Sequence, residues 1–273
     1  MTTTTAERTA LPSLARVYRT RAGVELKEFF RQRESVVFTL LFPVILLLGL
    51  GAVLDYDLGE GIDFPQYFMA GVIAAGIVGA SLQNMAIHIA GERSDGTLKS
   101  LAGTPMPASA YFVGKVVQVL AVTAATLALL LLIGVLVHGI DLPSGGDWLT
   151  FGWVTLLGAG ACTLLGIAVS TLARNGRSAS ATVTPIALVL EFVSGVFMPF
   201  HQVPGWLQDI AAVFPVKWLA QGLRSVFLPE SMVAQEPAGS WELGRVALVL
   251  AIWCVVGLLL CVRTFRWQDR GDG

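Results

Sequence analysis

Fifteen of the eighteen Lys and Arg residues of this chain fall into four clusters, and between the clusters run long stretches with almost no charge. That alternation constrains the fold more than any motif does, because a helix needs about 20 apolar residues to cross a hydrocarbon core of about 30 Å. Six stretches qualify: roughly Val36 to Leu54, Tyr67 to Ala90, Val116 to Val137, Trp148 to Ala173, Ala179 to Pro199 and Val246 to Val262. Glu191, in the fifth, is the one acidic or basic residue inside them. A chain that is 55% hydrophobic and 14% charged, with a mean hydropathy of +0.71, has enough apolar residues to face lipid as well as one another. The expected fold class is an all-α integral membrane protein with six transmembrane helices.

The clusters also set an orientation. They comprise Arg8, Arg16, Arg19, Arg21, Lys27, Arg31 and Arg33; then Arg93, Lys99 and Lys115; then Arg174 and Arg177; then Arg263, Arg266 and Arg270. Lys217, Arg224 and Arg245 alone fall on the other side. Cytoplasmic loops keep Lys and Arg, so both termini are expected in the cytoplasm of a multi-pass plasma (inner) membrane protein, with Asp55, Asp57, Glu60 and Asp63 external. The first apolar run follows a long basic segment and is itself of spanning length, which argues against a cleaved signal peptide. Cys162, Cys254 and Cys261 all lie within spans, without a CxxC pair or His at ligand spacing, and read as packing residues; no metal site is expected. The net charge of −1 identifies no partner, and no nucleic acid is expected.

Residues 1–13 read as a disordered tail, 14–266 as one membrane domain and 267–273 as a cytoplasmic tail. From Leu14 to Glu34, apolar Leu14, Val17, Tyr18, Val24, Leu26, Phe29 and Phe30 interleave with the basic cluster, as in an interfacial amphipathic helix. A plain basic flank that only sets topology is the alternative. Two loops have more character. Between spans 2 and 3, Asp95-Gly96 signals a turn and Thr97 is placed to cap a short helix to about Ala102, which Thr104-Pro105 ends. After span 5, Pro199, Pro204 and Pro215 interrupt an apolar segment, so two short re-entrant or surface helices are expected, about Trp206 to Phe214 and Val216 to Phe227. Trp206, Trp218 and Phe200 are expected to anchor them at headgroup level.

Taken together these residues resemble the membrane permeases of the type-2 ATP-binding-cassette exporter family, close to the daunorubicin-resistance type of drug-efflux permease. The resemblance rests on Pro43; on Glu92, Gly96-Thr97-Leu98, Leu101, Thr104-Pro105 and Gly114-Lys115; and on Gly195, Met198-Pro199, Pro204, Trp206-Leu207, Pro215, Gly222 and Arg224. It covers about Ala15 to Arg266. It implies a dimer of six-span units, a homodimer in preference to a heterodimer, surrounded by membrane lipid and joined by two copies of a separate nucleotide-binding ATPase subunit. It makes the inner loop a coupling helix and the N-terminal segment a connecting helix. It implies export of drugs, lipids or polysaccharide, with spans 1 and 5 enclosing the pathway, where Phe38, Phe42, Phe192 and Phe197 are placed to line it.

The chain has no GxxxxGK[ST] phosphate-binding loop, so ATP and Mg are expected on the partner, with no cofactor and no catalytic residue here. Glu92 and Arg93 are expected to make polar contacts with that partner, and Leu98 and Leu101 apolar ones. Glu191 has either a cavity role, attracting a cationic amphiphile or holding a closed state by hydrogen bonding, or a structural hydrogen bond to Thr182, Thr184, Ser194 or a neighbouring span. Gln83 is a candidate for a polar path, Asn84 for interhelical bonding, and His88 for a headgroup-level or capping place. Small residues at Gly71, Ala75 and Gly79, and at Gly158, Cys162, Gly166 and Ser170, predict closely packed helix faces. The leading function is therefore the transmembrane subunit of an ATP-driven exporter of a hydrophobic or amphipathic compound. A polysaccharide or lipid-linked glycan exporter and a proton-coupled transporter using Glu191 are the alternatives. An intramembrane enzyme is disfavoured by the absence of HExxH and GxSxG.

Overall fold

The computed structural model describes residues 13–53, 64–173 and 175–264, and every regular element among them is helical. Expectations for Met1–Thr9, for Arg8, Arg174, Arg266 and Arg270, for the acidic residues Asp55, Asp57, Glu60 and Asp63, and for the tail 267–273 lie outside the described residues. Helix α1 (Leu14–Arg31) ends where Gln32 leaves helical geometry, at φ −84° and ψ 86°, and the chain turns into α2 (Arg33–Val53). Then follow α3 (Phe64–Ser94), the short α4 (Thr97–Ala102), α5 (Ala108–His138), α6 (Asp147–Leu172), α7 (Gly176–Val193), α8 (Gly205–Ala211), α9 (Pro215–Phe227) and α10 (Leu243–Thr264).

Five of these, α2, α3, α5, α6 and α10, are long and apolar enough to cross a membrane. The fifth expected span is shorter than its expected bounds. Helix α7 starts at a capping box, in which the Asn175 side-chain Oδ1 accepts the Ser178 N–H at 2.8 Å, and stops at Val193, six residues short of Pro199. Arg177, Ser178, Ser180, Thr182 and Thr184 make its first half too polar for it to join the other five, and Gly195 turns the chain away at φ +71°. Glu191 consequently lies in the last turn of α7 rather than at mid-span.

Helix α3 is the hub, buried along nearly its whole length and packed against α2, α5, α6, α7 and α9. Small residues allow this. A Cβ placed on Gly71 would lie 1.8 Å from the Val196 carbonyl oxygen, and one on Gly166 2.5 Å from that of Leu82. Gly79 departs from the expected pattern, for a Cβ there meets nothing within 4 Å.

The two short helices after α7 exist, but their surroundings correct the expected headgroup anchoring. Phe200 and Trp218 are each 4% exposed, and Trp218 Nε1 donates to the Ala212 carbonyl at 2.7 Å; only Trp206 is open. Helix α9 is held between α3, α6 and α10, with Pro215 and Gly222 buried. Its polar side chains recur on one face and bond within the protein: Gln221 Nε2 donates to Trp241 O at 3.0 Å, and Arg224 Nε donates to Glu236 Oε1 at 2.6 Å and Nη1 to Gly195 O at 3.1 Å. A prolyl-broken chain survives at membrane depth when protein satisfies its polar groups in this way.

Gly71→Ala and Gly79→Ala form a matched pair that tests this packing. The first is expected to lower thermal stability by about 1–3 kcal/mol and the second to stay within about 0.5 kcal/mol of the parent. Thermal unfolding of the detergent-solubilised variants, followed by size-exclusion chromatography, checks both.

Candidate functional site

Helices α2, α3 and α7 enclose a cavity of about 410 Å³. Each helix supplies one face, visible as a four-residue recurrence: Phe38 and Phe42 from α2; Ala75, Gly79, Gln83 and Ile87 from α3; Ser180, Thr184, Leu188 and then Glu191 from α7. Thr39, Pro43, Asn84 and His88 fill the gaps, and the exposed Glu34 and half-buried Ser35 stand at one mouth. Both α2 and α3 widen into a π-helical turn where they pass this cavity, at Val37–Leu41 and Gly79–Gln83. Such turns add a residue, redirect side chains and concentrate at functional sites. Here they aim Phe38, Thr39 and Gln83 into the hollow.

Four residues expected on the pathway, Phe38, Phe42, Gln83 and Glu191, thus share one cavity. Phe192 and Phe197 do not line it: their rings pack together at 5.0 Å, and Phe197 leans on Phe68. Phe192 is within α7 but on its exposed side, and Phe197 lies beyond the end of the helix. The structural hydrogen bond from Glu191 to Thr182, Thr184 or Ser194 is not made, and the Ser194 hydroxyl is itself buried without a partner. His88 is corrected from a headgroup-level or capping place to this wall, with Nε2 buried and unbonded. Asn84 Oδ1 accepts from Gln118 Nε2 at 3.4 Å, joining α3 to α5.

A larger hollow of about 740 Å³ between α5, α6 and α10 is lined mainly by Val116, Leu120, Leu164 and Leu258. The polar groups on its wall are engaged elsewhere, Lys115 with carboxylates and Thr163 with the Ala159 carbonyl. The smaller cavity is where free polar groups converge, which makes it the candidate site.

One turn beyond His88, α3 carries Glu92, and here the structure revises the expected partner contacts. Glu92 is buried: Tyr111 Oη donates to Oε2 at 2.6 Å and Lys115 Nζ to Oε1 at 2.7 Å. Lys115 also donates to Glu25 Oε2 of α1 at 2.8 Å, and Arg21 closes the group through Glu25 and, at 3.7 Å, Glu92. Gly114 lets α1 come this near, since a Cβ there would meet Arg21 Cγ at 2.9 Å. Arg93 likewise turns inward, donating to the Ser170 and Ala173 carbonyls at 2.9 and 2.8 Å and closing the end of α6. Leu98 is 2% exposed and Leu101 half-buried. The turn into α4 also differs from expectation: Gly96 takes φ +79°, and Asp95 Oδ1 accepts the Thr97 N–H at 3.0 Å, so Thr97 is a first-turn residue and not the cap. What α4 shows to the outside is Lys99, Ser100 and Ala102, continued by Thr104 and Pro105.

A family model described as ABC-2 type transporter matches residues 19–228, which take in the ion cluster, α4, the cavity and α9. The chain belongs to the ABC-2 type transporter family. As an ABC-2 permease it is the membrane subunit of an ABC transporter, which works with an ATP-binding subunit. It is 22% identical over 196 residues to YvfS of Bacillus subtilis (strain 168), named as a transport permease, with 70% of this chain and 77% of that one covered. It is 24% identical over 212 residues to the inner membrane transport permease YadH of Escherichia coli (strain K12), covering 74% and 80%. YbhR of the same organism, named as a multidrug ABC transporter permease, is 22% identical over 170 residues; that match covers 62% of this ABC-2 permease and spans just under half, 46%, of YbhR.

Sequence reasoning missed Glu25, Arg21, Tyr111 and Glu34, and read Lys115 as a basic flank. In this permease α5 begins at Ala108, so Lys115 is two turns inside an otherwise apolar helix, and that position was the available signal.

Removing the ammonium leaves two carboxylates facing each other in a buried site. Lys115→Met is expected to destabilise the permease by about 3–5 kcal/mol, whereas Arg245→Met, which breaks an exposed pair with Glu242, costs less than about 1 kcal/mol. Thermal unfolding in one detergent compares them. Burial pushes the Glu25 carboxyl above its ordinary value of 4.5, against the pull of Lys115. The folded state therefore holds the Glu25 proton more tightly than the unfolded one, so its stabilising contribution is full below pH 4.5 and is lost as pH rises through the folded value. Glu25→Gln removes that component, which the difference between the two stability–pH curves reads directly.

Proposed function

We propose that this permease is the transmembrane subunit of an exporter that moves a hydrophobic or amphipathic compound, such as a drug, antibiotic or lipid, outward across the plasma (inner) membrane. A separate nucleotide-binding subunit, in two copies, binds ATP and Mg and supplies the work. The observation that carries the reading is that a single helix, α3, forms both a wall of the polar-and-aromatic cavity and the arm that bears Glu92 and α4. A push on α4 is thereby a push on the cavity wall.

In this reading α4 is the docking element. Lys99, Ser100, Ala102, Thr104 and Pro105 meet the partner; Gly96, Thr97, Leu98 and Leu101 shape and seat the helix; Glu92 and Arg93 fix its base to α1, α5 and α6. The basic residues around it, including Arg16, Arg19, Lys99, Arg177 and Arg263, favour this end as cytoplasmic, and the termini with it. A second copy of the chain fits the apolar strip beside the cavity, where Phe38 and Ile45 of α2 and Val189 and Phe192 of α7 are exposed. The drug-efflux resemblance and the multidrug description of YbhR support a small amphipathic cargo and outward movement. Only Phe38 and Phe42 line the cavity among its aromatic residues, which suits that cargo better than a glycan stacked along a tunnel.

Co-purification from native membranes tests the reading. A tagged permease is expected to recover an ATPase subunit in equal amount, and Ser100→Trp or Ala102→Arg, both on the exposed face of α4, to weaken that association by about tenfold or more without changing the permease's own elution. A permease that carries no ATPase and moves cargo down a proton gradient would overturn the proposal in favour of secondary transport through Glu191.

A further inference from the structure

Glu191 is 4% exposed, lines the cavity, and its carboxylate has no hydrogen bond or ion pair among the described residues. Every other buried acidic side chain with a described environment is paired: Glu25 and Glu92 with Lys115, and Glu236 with Arg224. A lone carboxylate in an apolar setting is destabilising, so its retention points to a partner that arrives from outside the fold.

The surroundings define that partner's chemistry. The titratable groups facing the cavity are Glu34, His88 and Glu191, from α2, α3 and α7; no Lys or Arg lines it. The wall beside them is Phe38, Phe42 and Leu188, aromatic faces and aliphatic surface. Ring faces attract cations and accept apolar bodies, and a carboxylate attracts cations and repels anions. Resting on the reading of this cavity as the cargo site, we propose that it is a site for an organic cation, whose charged group sits against Glu191 and whose apolar body lies on Phe38 and Phe42. Glu34 at the mouth draws the cation in. The two glutamates are the residues that select cargo by charge.

The test is equilibrium binding to the purified chain in phosphatidylcholine nanodiscs, using radiolabelled tetraphenylphosphonium and, separately, tetraphenylborate, an anion of the same shape. The phosphonium is expected to bind saturably and the borate more weakly. Glu191→Gln, isosteric and without a partner to lose, should weaken phosphonium binding about tenfold or more and bring the two ions closer in affinity. Glu34→Gln should weaken it about twofold, as a mouth charge does. Gly79→Leu, placed where a Cβ meets nothing within 4 Å, fills the cavity and should abolish binding with both carboxylates intact. Phosphonium affinity unchanged in Glu191→Gln, no preference for phosphonium over borate, or no saturable phosphonium binding to the parent chain overturns the proposal. The assay needs neither ATP nor a partner subunit. Its failure therefore leaves the exporter reading to the co-purification experiment, and failure of that experiment leaves the cation site standing.

Discussion

Lys115 is 2% exposed, and Glu25 and Glu92 hold its ammonium at 2.8 and 2.7 Å. The three residues come from α1, α3 and α5, so satisfying one buried charge fixes the relative placement of three helices. An unpaired ammonium in that position would be far too costly to keep, so α1 cannot lift from the bundle without breaking the arrangement. Gly114 and Tyr111 follow from the same requirement, the first by letting α1 approach and the second by taking the remaining Glu92 oxygen. The end of the bundle from which α4 projects is therefore rigid.

That rigidity gives α4 its mechanical meaning. His88 faces the cavity and Glu92 faces the ion cluster one turn later on the same helix, about 6 Å along its axis. Between them lies continuous α-helix without proline, while the two π-helical turns lie on the cavity side. Under the proposed reading, displacement of α4 passes along this stretch of α3 and is absorbed where α2 and α3 line the hollow. Arg93, closing the carbonyl end of α6, brings a second long helix into the same movement.

The long helices were legible because spanning length and lack of charge are local properties, and Glu191 was legible because a carboxylate stands out against such a background. Gln83, Phe38 and Phe42 could be assigned to a pathway for the same reason, once the family resemblance brought spans 1 and 5 together. What could not be read was pairing across the sequence. Glu25 and Lys115 lie 90 residues apart, and each alone resembles an ordinary residue of a charged flank. Trp218 and Phe200 show a different limit. An aromatic residue near a broken helix serves equally as a headgroup anchor or as core, and only the packing of α9 against α3 and α6 decides for core. Gly195 turns the chain at positive φ just after α7, so Phe197 lies beyond the helix, while Phe192 lies on its exposed side; neither lines the cavity they were expected to line.

The distribution of unsatisfied polarity separates the two halves of the site. At the α4 end, Glu25, Glu92, Lys115 and Tyr111 are mutually engaged, with Arg21 beside both carboxylates, and Arg93 is spent on backbone carbonyls. Glu92 is buried there, while Lys99, Ser100 and Ala102 of α4 are exposed. In the cavity the reverse holds: Glu191 has no ion pair and His88 Nε2 no hydrogen bond, although both are buried. A fold able to neutralise Lys115 with two carboxylates brought from separate helices supplies no cation to Glu191. The ion cluster ties three helices together through paired charges, whereas the cavity keeps a buried carboxylate with no partner among the described residues.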